Sequence, residues 1–568
     1  MHLTQNWEIR KPGVSSRGGI VAAQNGTAAR VGAEILAAGG TAVDAAVGTA
    51  VALAAVEPWN SGLGGIVAAQ NGSAARVGAQ ILAAGGTAVD AAVATAFSLA
   101  AVEPWNSGLG GIGVMVVHQA GADRAEAVDF GPVSPNGLDP AAYPLTGEMR
   151  TELFTWAQVV GDRNMHGPLS FVVPSAVRGY ALALERFGRM PWRELVAPAA
   201  VLAKAGLPID WFTTLKVASA AADLRRYDES RRIWLPDGLP PISPPDADSV
   251  SLPLGRLAET IERLAEAGPD DFYQGEIARS IAADTRAAGG VLSTGDLSRY
   301  RARIVPALDV PYRGAVFQTA PGMTAGPTLA RVLGRLAGHR FAGRPDTAYF
   351  EAVIDALRQA YAERLETMGD VEAGSPTSTS HITAVDRQGG IAALTTTLLS
   401  SFGSRYVLPA TGILMNNGVM WFDPQPGRPN SIGPGKRALT NMCPLVVARD
   451  GRPWFGAGAS GGRRILASVL QMANFVIDFE MDPETAAHHP RIDVSGSGRI
   501  DIDRRMPAAI VERLSTLPGS RLVEHIVQPY RFARPNLVLR DTDGVNHGIS
   551  DVMSPWSAAA AEPERGFP

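Results

Sequence analysis

Two threonines dominate any search for chemistry in this chain. Thr379 opens the run Thr379-Ser380-His381, and Thr397 closes Thr395-Thr396-Thr397. A threonine hydroxyl is a weak nucleophile until a base removes its proton. A cut between Ser378 and Thr379 would create an α-amino group on the same residue, able to serve as that base. Such a group titrates at roughly 7.7–8.0, close to working pH, which suits it to both accept and return a proton. Thr397 would orient the Thr379 hydroxyl if the fold brings the two together.

The elements around these residues can do so. Ser375 to Asp386 and Ile391 to Leu398 are two runs rich in β-branched residues, separated by Arg387-Gln388-Gly389-Gly390. Such a loop between two such runs predicts a β-hairpin. Pairing residue 386 with 391 brings Thr397 opposite Thr379 to within one position. On the hairpin alone, an ordinary threonine-rich strand pair is the plainer reading.

The wider sequence changes that balance. Thr379-Ser380-His381, Thr395 to Leu398 and Phe402-Gly403 resemble the γ-glutamyltransferase (γ-glutamyltranspeptidase) family of N-terminal-nucleophile hydrolases. So do Gly412 to Asn417, Gly433 to Arg437, and Gly461-Gly462-Arg463-Arg464-Ile465. The resemblance covers nearly the whole chain. It implies an α+β fold, a four-layer αββα sandwich of two stacked, mainly antiparallel sheets covered by helices. It implies self-cleavage before Thr379, giving a large subunit (1–378) and a small subunit (379–568) that stay together as a heterodimer able to pair again. Thr379 would then form an acyl-enzyme with a small-molecule amide and pass the acyl group to water or an amine. Gly461 and Gly462 would hold the oxyanion. No cofactor and no metal are implied.

Substrate-binding positions depart from the resemblance. Gly131 stands where γ-glutamyl-specific members carry an arginine for the α-carboxylate, so a planar two-pronged donor is missing. Asn416 and Asn417 are expected to bind substrate, and Trp421 after them stands where an aspartate holds the α-amino group, although an indole offers only a donor and an apolar face. Leu399 replaces an asparagine, and Thr440-Asn441 replace a Ser-Ser pair. Arg405 is a candidate relocated carboxylate anchor or a plain strand-end arginine. The substrate expectation is therefore double: γ-glutamyl amides such as glutathione, or an oxamate-like or glutaryl-acylase-type amide. The Pro/Gly-rich segment Asp423 to Lys436 is short, which predicts an open, wet site.

Two other readings compete. Gly458-Ala459-Ser460-Gly461-Gly462 also satisfies the G-x-S-x-G nucleophile elbow, with Asp493, Asp551, His525 and His547 as candidate partners. It needs a parallel sheet with alternating helices, which the sequence does not offer. A non-processed, inactive relative is the other. Gly108 to Gly113 matches a dinucleotide fingerprint, but a helix precedes it and a strand follows, the reverse of what that motif requires. His488 and His489 are read as structural, since adjacent side chains diverge.

Residues 19–64 recur at 65–110 with five differences: Thr27/Ser73, Glu34/Gln80, Gly48/Ala94, Val51/Phe97 and Ala52/Ser98. Each copy reads as a short strand, a helix ending at Gly-Gly and an alanine-rich helix ending before Glu-Pro-Trp. In copy one the first helix is capped by Asn25 or Thr27. One unit is surplus to the family pattern, and copy two, running directly into the strand Gly113 to His118, is expected to dock. With 51 basic and 55 acidic residues the chain has no basic footprint for nucleic acid. The single cysteine, Cys443, excludes an intrachain disulfide. The opening residues lack an apolar signal core and no apolar run reaches membrane length, so a cytoplasmic protein is expected.

Overall fold

The structure, a computed structural model, describes residues 64–149, 157–244, 250–368, 377–495 and 498–561, with Glu34 and Ala37 as isolated positions. Two large antiparallel sheets form the centre. Their strands are β1 (Ile66–Ala69), β2 (Ile112–His118), β3 (Glu126–Phe130), β4 (Arg303–Pro306), β5 (Leu308–Tyr312), β6 (Ala315–Thr319) and β7 (Thr377–Val385). They continue with β8 (Ile391–Ser400), β9 (Leu445–Arg449), β10 (Arg452–Ser460), β11 (Arg534–Arg540), β12 (Asn546–Ser550) and β13 (Ala558–Ala561). The first sheet has the order β13-β1-β7-β8-β2-β3-β4 and the second β12-β11-β10-β9-β6-β5.

The helices needed here are α1 (Gly72–Ala83), α2 (Ala88–Val102), α3 (Ala176–Phe187), α4 (Trp192–Ala205), α5 (Gly326–Leu336), α6 (Thr347–Met368) and α7 (Arg464–Asp478). Helices α1 to α4 share an apolar cluster with the outer face of the first sheet, through Ile382, Ala384, Ala392 and Leu394. Helices α5 to α7 cover the second sheet through Leu445, Val447, Phe455 and Leu537. A third cluster, with Ile112, Val114, Val385, Ile391, Val446 and Val538, fills the space between the sheets. Alternation along each strand sends successive side chains to the helices and to the partner sheet, which produces the four layers.

The expected hairpin forms, one residue out of the simplest register. Val385, not Asp386, pairs with Ile391. Asp386 instead folds the loop: its carboxylate accepts from the amides of Gln388 (3.0 Å) and Gly390 (2.9 Å).

The second repeat copy supplies β1, α1 and α2. Asn71, the counterpart of Asn25, caps α1 by accepting from Ser73 N and Ala74 N. Thr87 and Asp90 make a reciprocal capping box on α2. Strand β1 lies between β7 and β13, so this copy sits in the sheet that carries Thr379. The expected placement of copy one falls outside the described residues.

Candidate active site

Thr379 sits where the β7–β8 ladder slips. Ser378 pairs with Leu399 and Ser380 with Thr396, so Thr379 faces both Thr397 and Leu398. A bulge of this kind re-aims one side chain without breaking the sheet. The Thr379 hydroxyl donates to Thr397 Oγ1 at 3.3 Å, and the Leu399 amide donates to the same oxygen at 2.8 Å. Leu399 holds a φ of +84°, an unfavourable backbone state for a side chain with a Cβ, and such states persist only where surrounding structure enforces them.

Both sheets are pressed together here by small residues. A Cβ on Gly456 would meet Ile391 and Thr383, and one on Gly458 would meet the His381 ring. Strand β10 runs on through Gly456 and Gly458 to Ser460, its glycines serving close approach of the two sheets. The strand ends at Ser460, and Gly461 and Gly462 follow before α7. Gly461 (φ +143°) and Gly462 (φ +60°) turn the chain out of the strand, and a Cβ on Gly461 would strike Ala533. Backbone amides at such a strand-to-helix turn suit a developing oxyanion.

His381 is a strand residue and no base. Its Nδ1 meets Thr395 Oγ1 at 2.9 Å and its Nε2 meets Thr383 Oγ1 at 3.0 Å. Complete burial lowers its pKa to about 3, so it stays neutral. Gln70 joins the two sheets: its Nε2 donates to Ser460 Oγ at 3.2 Å and its Oε1 accepts from His381 N at 2.5 Å.

The serine-elbow expectation is overturned by these contacts. Ser460 lies on an antiparallel strand between β9 and β11, and its hydroxyl bonds Gln70. The candidate partners lie in pairs of their own: His525 3.8 Å from Asp551, and His547 3.0 Å from Asp541. Asp493 bonds Ser495. The glycines of 108–113 serve packing. A Cβ on Gly110 would reach Leu414 O and one on Gly111 would reach Thr397 O.

Several expected substrate contacts have other duties. Asn416 donates to Gly110 O and Val172 O and accepts from Val172 N and Gly418 N. That fills its hydrogen-bonding capacity, which corrects the reading of Asn416 as a substrate ligand. Asn417 donates to Met165 O and Ser400 Oγ and accepts from Ser400 N. Trp421 is buried with Met420, Phe422 and Ile432 between the sheets. Arg405 folds the turn after β8, donating to Ser400 Oγ and Gly403 O, so it is a structural clamp and not a carboxylate anchor. Thr379 is 4 % exposed and lies between the sheets.

Thr440 and Asn441 are held from behind by a residue the sequence reading missed. Arg364, on α6, is 1 % exposed and donates to Thr440 O, Asn441 Oδ1, Thr324 O and Thr328 Oγ1. A buried guanidinium is tolerable only with such a full set of acceptors, and no local pattern marks it. Thr440, Met442 and Gly131 line a cavity of about 240 Å³ together with Gly113, Asp129, Arg303 and Arg437.

The profile of the γ-glutamyltranspeptidase family matches residues 28–69, 74–378 and 372–561. The chain belongs to that family. The first two matched segments begin at Ala28 and Ala74, equivalent positions of the two repeat copies. The chain is 29 % identical over 547 residues to the acylase ACY 1 proenzyme of Pseudomonas sp. (strain SE83), covering 89 % of this chain and 87 % of that protein. It is 30 % identical over 533 residues to the glutathione hydrolase proenzyme of Escherichia coli (strain K12), covering 84 % of this chain and 81 % of that one. In fold it resembles the cephalosporin acylase from Bacillus halodurans, with a TM-score of 0.77, 23 % identity, and coverage of 89 % and 97 %. Family membership makes this γ-glutamyltranspeptidase relative an enzyme of amide hydrolysis or acyl transfer. Among the described residues no helix is long and apolar enough to cross a membrane.

Proposed function

We propose that the chain matures by cleaving itself before Thr379 and then hydrolyses small amides whose acyl group carries no α-amino clamp requirement. The observation that carries this reading is the buried Thr379–Thr397 hydroxyl contact of 3.3 Å on paired strands.

In maturation the Thr379 hydroxyl attacks the Ser378 carbonyl and the C–N bond breaks, leaving an ester. Water cleaves the ester, giving a carboxylate on Ser378 and a free amine on Thr379. In turnover that amine takes the hydroxyl proton while Oγ1 attacks the substrate carbonyl. Amides at Gly461 and Gly462 stabilise the oxyanion. The proton passes to the leaving nitrogen, and water or an amine then resolves the acyl-threonine. Thr397 holds the nucleophile's hydroxyl in line. The product subunits, 1–378 and 379–568, remain together because β7 and β8 lie inside a sheet whose other strands come from the large subunit and the C-terminal end.

The substrate reading favours acylase-type amides over γ-glutamyl ones. Gly131 offers no guanidinium of its own, and Trp421 is buried in apolar company. The similarity to an acylase proenzyme is as extensive as that to a glutathione hydrolase. The test is turnover of γ-glutamyl, glutaryl and oxamate amides by wild type, Thr379→Ala and Ser460→Ala. Thr379→Ala loses all turnover, whereas Ser460→Ala keeps measurable turnover, lowered by the loss of its bond to Gln70. Full activity in Thr379→Ala would overturn the proposal.

A further inference from the structure

A second cavity, of about 320 Å³, is lined by residues that no part of the mechanism uses, Arg504, Arg521, Leu522, Glu524 and Arg531 among them. It stands on the strand Ser520–Val523, at the edge of a three-stranded sheet whose other members are Ile500–Asp503 and Ile492–Asp493.

Three guanidinium groups line this cavity, and only one has a counter-charge. The Asp501 carboxylate accepts from Arg521 Nη2 at 2.8 Å and from Arg521 Nε. Among the described residues, neither Arg504 nor Arg531 makes an ion pair or a side-chain hydrogen bond, and Glu524, the one acid of the lining, makes none either. Arg531 is half-buried. Burial, and then the guanidinium groups of Arg521, Arg464 and Arg499, hold its pKa below the ordinary arginine value, with Asp501 opposing them. The rest of the lining is apolar: Leu522, 39 % exposed, with Val523, Ile526 and Pro529. Cations short of acceptors beside an exposed apolar surface suit an anion that carries a hydrophobic body. Guanidinium forks pair with phosphate oxygens through two parallel bonds, which favours a phosphate head.

The same stretch of chain backs the glycine turn. Tyr530 O accepts from Nη1 of Arg464, the first residue of α7, at 3.3 Å. A Cβ on Gly461 would stand 2.7 Å from Ala533 Cα, and Arg534 pairs with Ser460 across the ladder. From Tyr530 to Arg534 the chain is thus held against both ends of the turn Ser460 to Arg464. Arg531 is the residue between these holds that lines the cavity. An anion that draws Arg531 toward Arg504 and Arg521 removes the repulsion among them and steadies the segment on which Gly461 rests.

We propose that Arg504, Arg521 and Arg531 bind the phosphate group of a small organic phosphate monoester whose body lies against Leu522 and Ile526, and that this binding raises turnover by steadying the glycine turn. The binding stands whatever the nucleophile. Its effect on turnover rests on the threonine-hydrolase reading above.

The probe is phenyl phosphate, with inorganic phosphate for the head alone and benzyl alcohol for the body alone. Calorimetry reads binding, and steady-state kinetics on the amide turned over fastest in the panel above reads its effect. Phenyl phosphate raises the Tm of wild type saturably. Inorganic phosphate does so with about tenfold weaker affinity, and benzyl alcohol does not. Saturation with phenyl phosphate raises kcat roughly threefold and leaves KM unchanged. Arg531→Gln is cleaved, keeps the kcat of ligand-free wild type and loses both responses. Arg504→Gln, a change in an exposed side chain, weakens binding about tenfold. Equal affinity for phenyl and inorganic phosphate overturns the organic body. Absence of a saturable rise in wild-type Tm overturns the site, and so does a rise that survives undiminished in both variants. Binding that leaves kcat unchanged overturns the link to the glycine turn alone. A wild-type chain that binds phenyl phosphate yet stays uncleaved and hydrolyses no amide overturns the threonine reading and leaves the anion site standing.

Discussion

Gln70 donates through Nε2 to Ser460 Oγ at 3.2 Å, joining the first sheet to the strand end that precedes Gly461 and Gly462. Its Oε1 accepts from His381 N, two residues beyond the nucleophile. One amide therefore fixes the spacing between the threonine and the glycine turn. Gln70→Leu keeps the volume and removes both bonds. Each buried partner left unsatisfied costs about 1–3 kcal/mol. The expected result is a kcat roughly 10- to 100-fold lower with a Tm only a few degrees down, read by steady-state kinetics and calorimetry. A kcat equal to wild type would refute the positioning role.

Thr397 contributes a hydroxyl oxygen and a methyl group. Thr397→Val removes the oxygen and leaves the packing, while stranding the Leu399 amide that donates to it. Thr397→Ser keeps the oxygen. Turnover should fall on the order of 100-fold in the first and within tenfold in the second. Equal losses in both would place the effect in packing instead.

His381 predicts a stability profile. Burial lowers its folded pKa to about 3 against an ordinary 6.5. The unfolded chain therefore binds a proton below pH 6.5 that the folded chain refuses. The stabilisation is complete above pH 6.5 and is lost as pH falls toward 3, by roughly 2 kcal/mol between pH 6.5 and 5. His381→Gln, with no titrating group, should show a smaller drop in Tm from pH 7.5 to 5.5 than wild type. Parallel curves would contradict the assignment.

The tandem repeat permits a clean comparison. Deleting 19–64 keeps Phe97, whose ring packs edge-on against Tyr180 at 5.2 Å and Trp192 at 5.4 Å. Deleting 65–110 joins copy one to the same downstream chain, with Val51 at the position of Phe97. Loss of a buried ring leaves a cavity worth a few kcal/mol. Both deletions should fold, the second with the lower Tm. Identical Tm values would show that this contact adds nothing.

Much of this was legible in the residues themselves. The strand–loop–strand of Ser375 to Leu398 announced the hairpin, since β-branched runs and Gly389-Gly390 act locally. The bulge at Thr379 was not legible, because it depends on the β8 neighbours that enforce the Leu399 backbone. Arg364 and Gln70 were missed for the same reason: each is defined by acceptors far away in sequence. Asn416 reads as a ligand, and Arg405 as either a carboxylate anchor or a plain strand-end arginine, because polar residues near a nucleophile look available until their partners are seen. The two-sheet contact through Gly456 and Gly458 likewise needs the third dimension, as glycines in a strand otherwise read as its end.

The central claim is that Thr379 becomes a chain terminus. Mass spectrometry of freshly purified protein, with identification of each N-terminal residue, tests it most directly. The account predicts two polypeptides, the smaller beginning at Thr379, and a single uncut chain for Thr379→Ala. An uncut wild-type chain that hydrolyses amides at full rate would contradict it.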